Sequence, residues 1–197
     1  MKKKIIIMLL IMVIAAGSAF AFDPLKAADG ISDNSFFINF GLFINPNVDS
    51  TYISFPPFGI SFDFLLPIGI PLSVGASFNM VTLESTSDYY RNMGFAVVQY
   101  SRTETLTGMF FGARAAWHFD FGVRNLDVYA LAELGLLVET WEAEYSRFYN
   151  SESEEYSEVF FGIFAGIRYF FTNNFGIFAE LGFSMPRIAS FGIAFKF

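Results

Sequence analysis

Seven charged residues sit inside otherwise apolar segments: Asp63, Arg114, Asp127, Glu133, Arg168, Glu180 and Lys196. They are the first places to look for chemistry. Arg114 and Glu133 flank the short polar stretch 120–125, and Arg168 and Glu180 repeat the arrangement around 172–174. If the flanking segments are antiparallel strands with Phe119 opposite Leu126, Arg114 faces Leu131 and Glu133 is its diagonal neighbour. With Phe171 opposite Phe175, Arg168 faces Phe178 and Glu180 is diagonal. Diagonal neighbours lie about 7–8 Å apart at the backbone, within reach of these side chains. Such pairs could gate an ion path or form a salt-bridge plug. The plug is favoured, because an unpaired charge in a dry interior costs several kcal/mol.

His118 is the single histidine, with Asp120 two residues on. A hydrolytic triad also needs a nucleophile, and no serine lies at a spacing that would bring it to His118. No catalytic site is therefore expected. One histidine and no cysteine leave no expected transition-metal site, and no cofactor is implied. The segment 139–158 is different: it holds seven Glu with Trp141, Tyr145, Phe148, Tyr149 and Tyr156. Glu152, Glu154, Glu155 and Glu158 could attract Ca²⁺, but EF-hand spacing is missing. The aromatic residues could make an adhesive surface. A solvated, self-repelling loop is the plainest reading.

These residues must be positioned by something, and the pattern points to strands. Composition is 54% hydrophobic with mean hydropathy +0.46, 28 Phe and only 16% charge. A helical membrane protein would need apolar runs of roughly 18 residues or more. Past residue 22 the densest stretch, 159–171, is interrupted by Gly162, Gly166 and Arg168. A period of two fits instead. It predicts eight strands, at about 35–45, 54–66, 71–82, 106–119, 126–139, 158–171, 175–184 and 189–197. One face of every strand is apolar, as in Phe36, Ile38, Phe40, Leu42 and Ile44, or Val159, Phe161, Ile163, Ala165 and Ile167. The other face carries all seven charges, every intrastrand glycine, and bulky residues such as Phe37, Phe110, Tyr129, Phe164 and Phe178. It is too apolar to meet water and too charged to meet lipid. A narrow, packed lumen fits it, and closure removes the sheet edges that lipid does not tolerate. The fold class is all-β: an eight-stranded, antiparallel, up-and-down transmembrane β-barrel.

The N-terminus reads as an address. Lys2 to Lys4 precede an apolar stretch from Ile5 to Ala16 and an Ala19-Phe20-Ala21 site, so 1–21 is a cleavable signal peptide cut before Phe22. Residues 22–34 form an N-terminal segment and 35–197 the barrel. Without Lys2 to Lys4 the chain has nine basic against nineteen acidic residues, about −10, which excludes the basic patch of a nucleic-acid binder. The lack of cysteine rules out disulfides and a lipid-modified N-terminus. The expected location is the bacterial outer membrane, with its lipid as the first partner.

The connections agree. Those at 67–70, 120–125 and 172–174 are short, whereas about 83–105 and 140–157 are long, the outer-membrane pattern. Trp117, Phe119, Tyr169, Phe171, Phe195 and Phe197 would line the rim with short turns, and Tyr90, Tyr100, Trp141 and Tyr145 the opposite rim, as aromatic girdles. Alternation in 94–107 hints that the fourth strand continues beyond the membrane. The final residues, Ser190-Phe191-Gly192-Ile193-Ala194-Phe195-Lys196-Phe197, resemble the C-terminal β-signal of outer-membrane barrels. That resemblance implies that Ser190, Gly192, Phe195 and Phe197 are read by the outer-membrane assembly machinery. The barrel as a whole resembles the small eight-stranded group typified by the OmpA barrel and OmpX. No peptidoglycan-binding domain follows, so anchoring to the cell wall is not expected. The resemblance implies a non-enzymatic envelope component or surface-contact protein, with a filled lumen and an extracellular partner for its loops. The OmpW-like alternative is a narrow conduit for small hydrophobic molecules. Some small barrels modify lipid A, but their histidine and serine lie near the outer leaflet, whereas His118 maps to the short-turn end.

Overall fold

The computed structural model describes residues 35–45, 53–92, 94, 97–146, 151–184 and 187–197. The expected signal peptide 1–21 and the segment 22–34 lie outside the described residues, as does Tyr149. Eight strands run in chain order: β1 (Phe36–Ile44), β2 (Ile53–Leu65), β3 (Leu72–Asn92), β4 (Val97–Phe119), β5 (Leu126–Tyr145), β6 (Glu152–Phe170), β7 (Phe175–Phe183) and β8 (Ala189–Lys196). Each pairs antiparallel with the next, and β1 pairs with β8 to close the barrel.

The two expected faces are present. Phe40, Leu42, Phe111, Leu134, Phe161, Ile163, Ile177 and Phe191 point outward and are exposed. In water such a belt would cost about 25 cal/mol per Å²; facing lipid it costs nothing comparable. At the short-turn rim Tyr169, Phe171, Phe175 and Phe195 form a continuous aromatic band, with ring centroids 5.4, 6.5 and 5.6 Å apart in turn. Inward residues are packed. Gly192, Gly41 and Gly59 lie in one register row across β8, β1 and β2. The Phe178 ring lies over Gly41, where a Cβ would stand 2.9 Å from its Cζ. Likewise, the Tyr129 ring fills the space over its cross-strand partner Gly166.

The long connections differ from expectation. Segments 83–105 and 140–157 are mostly strand, so β3 to β6 have 21, 23, 20 and 19 residues, against 9, 9 and 8 in β1, β7 and β8. A membrane crossing takes about 9–11 residues. The surplus of roughly ten residues per strand, at about 3.3 Å each, projects beyond the apolar belt by about 30 Å along the strand. The continuation hinted at in 94–107 is therefore part of a four-stranded sheet. Its polarity on both faces hid it from hydrophobic periodicity, but its β-branched and aromatic content suits strands. Cross-strand pairs support it: Thr86 and Thr103 hydroxyls lie 3.1 Å apart, and the Tyr89 and Tyr100 rings stack at 5.4 Å.

Among the described residues, the neighbouring strands do not follow this extension. Pro56 and Pro57 lack an N–H, and the β2–β3 register slips there before ending at Ile53 opposite Leu83. On the other side, the β6–β7 register ends at Ile163 opposite Phe183. The four aromatic residues expected at the far rim are also relocated. Tyr100, Trp141 and Tyr145 fall on the inner face of the extended sheet by strand alternation, and Tyr90 stands out in the open at 69% exposure.

Candidate functional site

The lumen holds an ionic network between two apolar plugs. Phe37, Leu65, Phe170, Phe178 and Ala194 pack at the short-turn end. Phe43, Val81, Phe110, Leu137 and Phe160 pack at the other. Between them, Arg114, Arg168 and Arg187 meet Asp63, Asp127, Glu133 and Glu180, all buried.

Neither sequence-predicted pair forms; each arginine takes other partners. Phe119 lies opposite Val128, not Leu126, so Arg114 is directly opposite Glu133 rather than diagonal to it. The cause is a wider turn. Gly122 and Asn125 take left-handed φ of 67° each, and the Gly122 amide donates to Asp120 Oδ1 at 2.8 Å. Yet Arg114 does not pair with Glu133. It crosses the lumen: Nη2 donates to Glu180 Oε1 at 2.6 Å, and Nε lies 3.0 Å from Asp63 Oδ1. Arg168 faces Phe178 on β7, the register that the short turn implies, but its partner is not Glu180. Its Nη1 donates to Asp127 Oδ2 at 2.9 Å, its Nε to Asn39 Oδ1 at 3.0 Å, and its Nη2 to Asp63. The guanidinium is held between the Phe37 and Tyr129 rings, 4.6 and 4.2 Å from their centroids. Across a closed barrel, inward side chains from distant strands converge. Turn-local reasoning considers only adjacent ones.

Glu133 and Glu180 are joined instead through Arg187, which lies between β7 and β8. Its Nη2 donates to Glu133 Oε2 at 2.8 Å, and its Nη1 lies 3.0 Å from Glu180 Oε2. Ser77 donates to Glu133, and the Tyr129 and Ser190 hydroxyls donate to Glu180 at 2.8 and 3.1 Å. Sequence reading missed Arg187 because it lies in a connection. The imbalance of the strand charges was the available signal. With Lys196 at the rim, four inward carboxylates faced only two arginines, and another cation had to come from elsewhere.

The second omission concerns His118. Its Nδ1 lies 2.7 Å from Asp127 Oδ1 and its Nε2 lies 2.8 Å from Ser73 Oγ. This is the partner order of a serine hydrolase triad, with Asp127 in place of Asp120. Ser73 was not associated with His118 by spacing because it arrives on β3, 45 residues earlier. All three side chains are fully buried. The Phe37 and Tyr129 rings pack on the imidazole at 6.0 and 5.6 Å, and Asp127 also binds Arg168. In this closed arrangement the triad orients neighbours and offers no space for an acyl substrate. Among the described residues, no group of three His, Cys, Asp or Glu is placed to hold a metal ion.

The cavity bordered by Asn39, Ser61, Asn79, Phe178, Arg187 and Ser190 has a volume of about 10 Å³, room for at most about one water. The remaining predicted residues lie at the β8 end of the chain and on the extended sheet. Ser190, Gly192 and Phe195 are on β8, and Phe197 exchanges backbone hydrogen bonds with Phe36 at 2.9 and 3.0 Å. Trp141 and Tyr145 are on β5, and Glu152, Glu154, Glu155 and Tyr156 on β6, as parts of the extended sheet rather than of a loop.

Closed topology, an apolar outer belt and a filled lumen define a small eight-stranded membrane β-barrel. Solved structures share this fold. The chain is similar to the attachment invasion locus protein Ail of Yersinia pestis, crystallised with the heparin analogue sucrose octasulfate. The two are 15% identical over 84% of this chain and 96% of that one, with a TM-score of 0.52. The N-terminal β-barrel domain of Pseudomonas aeruginosa OprF is 17% identical over 84% of this chain and 98% of that one, with a TM-score of 0.49. No family model and no curated protein matches the chain. The fold is that of the eight-stranded outer-membrane β-barrels.

Proposed function

We propose that this is a non-enzymatic bacterial outer-membrane protein whose sealed barrel anchors the extended β3–β6 sheet outside the cell for surface contact. The observation that carries this reading is the contrast between the two parts. The lumen is closed by two apolar plugs and a paired ionic layer, whereas β3 to β6 continue well past β2 and β7. Strands of that length are not needed to cross a bilayer. The signal peptide 1–21 supplies export, and β8 with Phe195 and Phe197 supplies the contact with the assembly machinery. Short turns then face the periplasm.

Ail was crystallised with a polysulfated ligand, but this sheet suits a different chemistry. Its strand extensions carry Glu84, Asp88, Glu104, Glu139, Glu142, Glu144 and four further Glu on β6. A polyanion would be repelled. The conduit alternative requires the lumen to open past Phe43, Phe110, Phe160 and the arginines, and the close packing there weighs against it.

The test is a paired measurement on the mature chain refolded into detergent and then planar bilayers. Unboiled and boiled samples are expected to migrate differently, and the bilayers are expected to stay electrically silent. Steady small channels would favour the conduit. Absence of a mobility shift, with protein in the soluble fraction, would remove the membrane reading altogether.

A further inference from the structure

The inner face of the extended sheet carries a groove directly above the outer apolar plug. Its volume is about 270 Å³, and Leu83, Glu84, Ser85, Glu104, Leu106 and Trp141 line it. Register explains its chemistry. Leu83 on β3 pairs with Leu106 on β4, Leu106 with Trp141 on β5, and Trp141 with Glu154 on β6. One row across the sheet therefore reads Leu, Leu, Trp, Glu. The next row outward reads Ser85, Glu104, Ala143 and Glu152. Toward the membrane, Val81, Gly108, Glu139 and Tyr156 follow. Partners in a row share a sheet face, so an apolar floor is flanked by carboxylates. Leu83, Leu106 and Trp141 are only half-buried.

The chain itself shows what this face accepts. The guanidinium of Arg102 lies over the Trp141 and Tyr145 rings, 5.6 and 5.5 Å from their centroids, while its Nη2 lies 2.8 Å from Glu104 Oε1. A cation between an aromatic face and a carboxylate is favourable on both counts. Arg102 occupies the upper end of the aromatic strip. Glu139, Glu152 and Glu154 lie on the same face and find no cation among the described ion pairs. The groove is below the roughly 300–1,000 Å³ of a site for a whole drug-sized ligand, and its size suits an anchor from something larger.

We propose that this groove binds a basic peptide segment of a partner protein, with one bulky apolar side chain on Leu83, Leu106 and Trp141 and flanking Lys or Arg on Glu139, Glu152 and Glu154. The proposal deepens the surface-contact reading by naming the partner's chemistry. Charge complementarity selects this occupant over an anionic glycan, and gives an encounter that weakens with salt.

The test uses full-length mature protein in zwitterionic-lipid nanodiscs, with Trp117→Phe so that Trp141 is the sole tryptophan reporter. The probe is a short capped peptide with one Leu between two pairs of Lys. A saturable change in Trp141 emission is expected, absent with the Glu-for-Lys probe and in empty discs. Glu152→Gln with Glu154→Gln is expected to weaken it roughly fivefold, with unchanged heat-dependent gel mobility. No saturable change, an equal response to the acidic probe, or a salt-independent response to a neutral disaccharide would overturn the proposal. Because the discs fix neither location nor export, failure here leaves the outer-membrane reading to its own test. Conversely, loss of the mobility shift in the parent protein would sink that reading first.

Discussion

Arg114 and Glu180 meet at 2.6 Å from strands 66 residues apart in sequence, while Glu133, directly opposite Arg114, binds Arg187 instead. The lumen is thus tied across its width. Removing one partner of a buried pair strands the other charge, at about 3–5 kcal/mol. Arg114→Met is expected to lose that much in urea unfolding followed by gel mobility. A double-mutant cycle is expected to give a larger coupling for Arg114 with Glu180 than for Arg114 with Glu133. Equal couplings would show that the cross-lumen pairing is wrong.

Arg187 is the link that no strand supplies. Its guanidinium packs over Phe164 at 4.4 Å and holds both Glu133 and Glu180. Arg187→Ala is expected to destabilise the barrel and to admit water and ions to the middle of the lumen. Phe110→Ala is expected to cost about 3–5 kcal/mol through its cavity while the bilayer stays silent, because the ionic layer below remains. Conductance recordings on the two variants separate the roles.

Ser73, His118 and Asp127 have the partner order of a nucleophilic triad but no access. A fluorophosphonate probe is expected to leave Ser73 unmodified in the folded barrel, read by mass spectrometry of its peptide. Labelling at Ser73 that His118→Ala abolishes would replace the structural reading with an enzymatic one. Ser73→Ala is expected to cost about 1 kcal/mol, one buried hydrogen bond.

Tyr129 needs the emptiness of Gly166, its register partner. Gly166→Val forces the ring or the backbone to move, so a loss of about 1–3 kcal/mol is expected. Tyr129→Ala in the same chain is expected to recover part of it. If Gly166→Val were neutral, the packing of the lumen around Tyr129 would be looser than described.

Much of this was legible in the residues because a barrel strand has only two faces. Strict alternation placed Asp63, Arg114, Asp127, Glu133, Arg168 and Glu180 inward without any knowledge of the fold. Strand existence followed equally well, for the apolar belt repeats from Phe36 to Phe195. Two kinds of information were out of reach. Contacts across the lumen, such as Arg114 with Glu180 or Arg168 with Asp63, depend on closure and tilt, which adjacent-strand spacing does not encode. The extensions of β3 to β6 carry only one apolar row, Leu83, Leu106 and Trp141, and no alternating apolar face beyond it, so Thr86, Thr103, Glu142 and Glu154 read as loop. Their pairing rests on backbone ladders and local cross-strand contacts instead.

Seven of the eight strand pairings join neighbours in sequence, whereas β1 with β8 joins the ends of the barrel, from Phe37 opposite Lys196 to Ile44 opposite Ala189. Hairpins can zip locally, but that seam must wait until the whole ribbon has curled, and it bears nearly all of the loop-closure entropy. It is also among the shortest ladders in the molecule. The curled but unstitched ribbon is therefore the state in which the arginines and carboxylates still meet solvent. A chaperone or a pulling force that opened this seam would return the barrel to that ribbon.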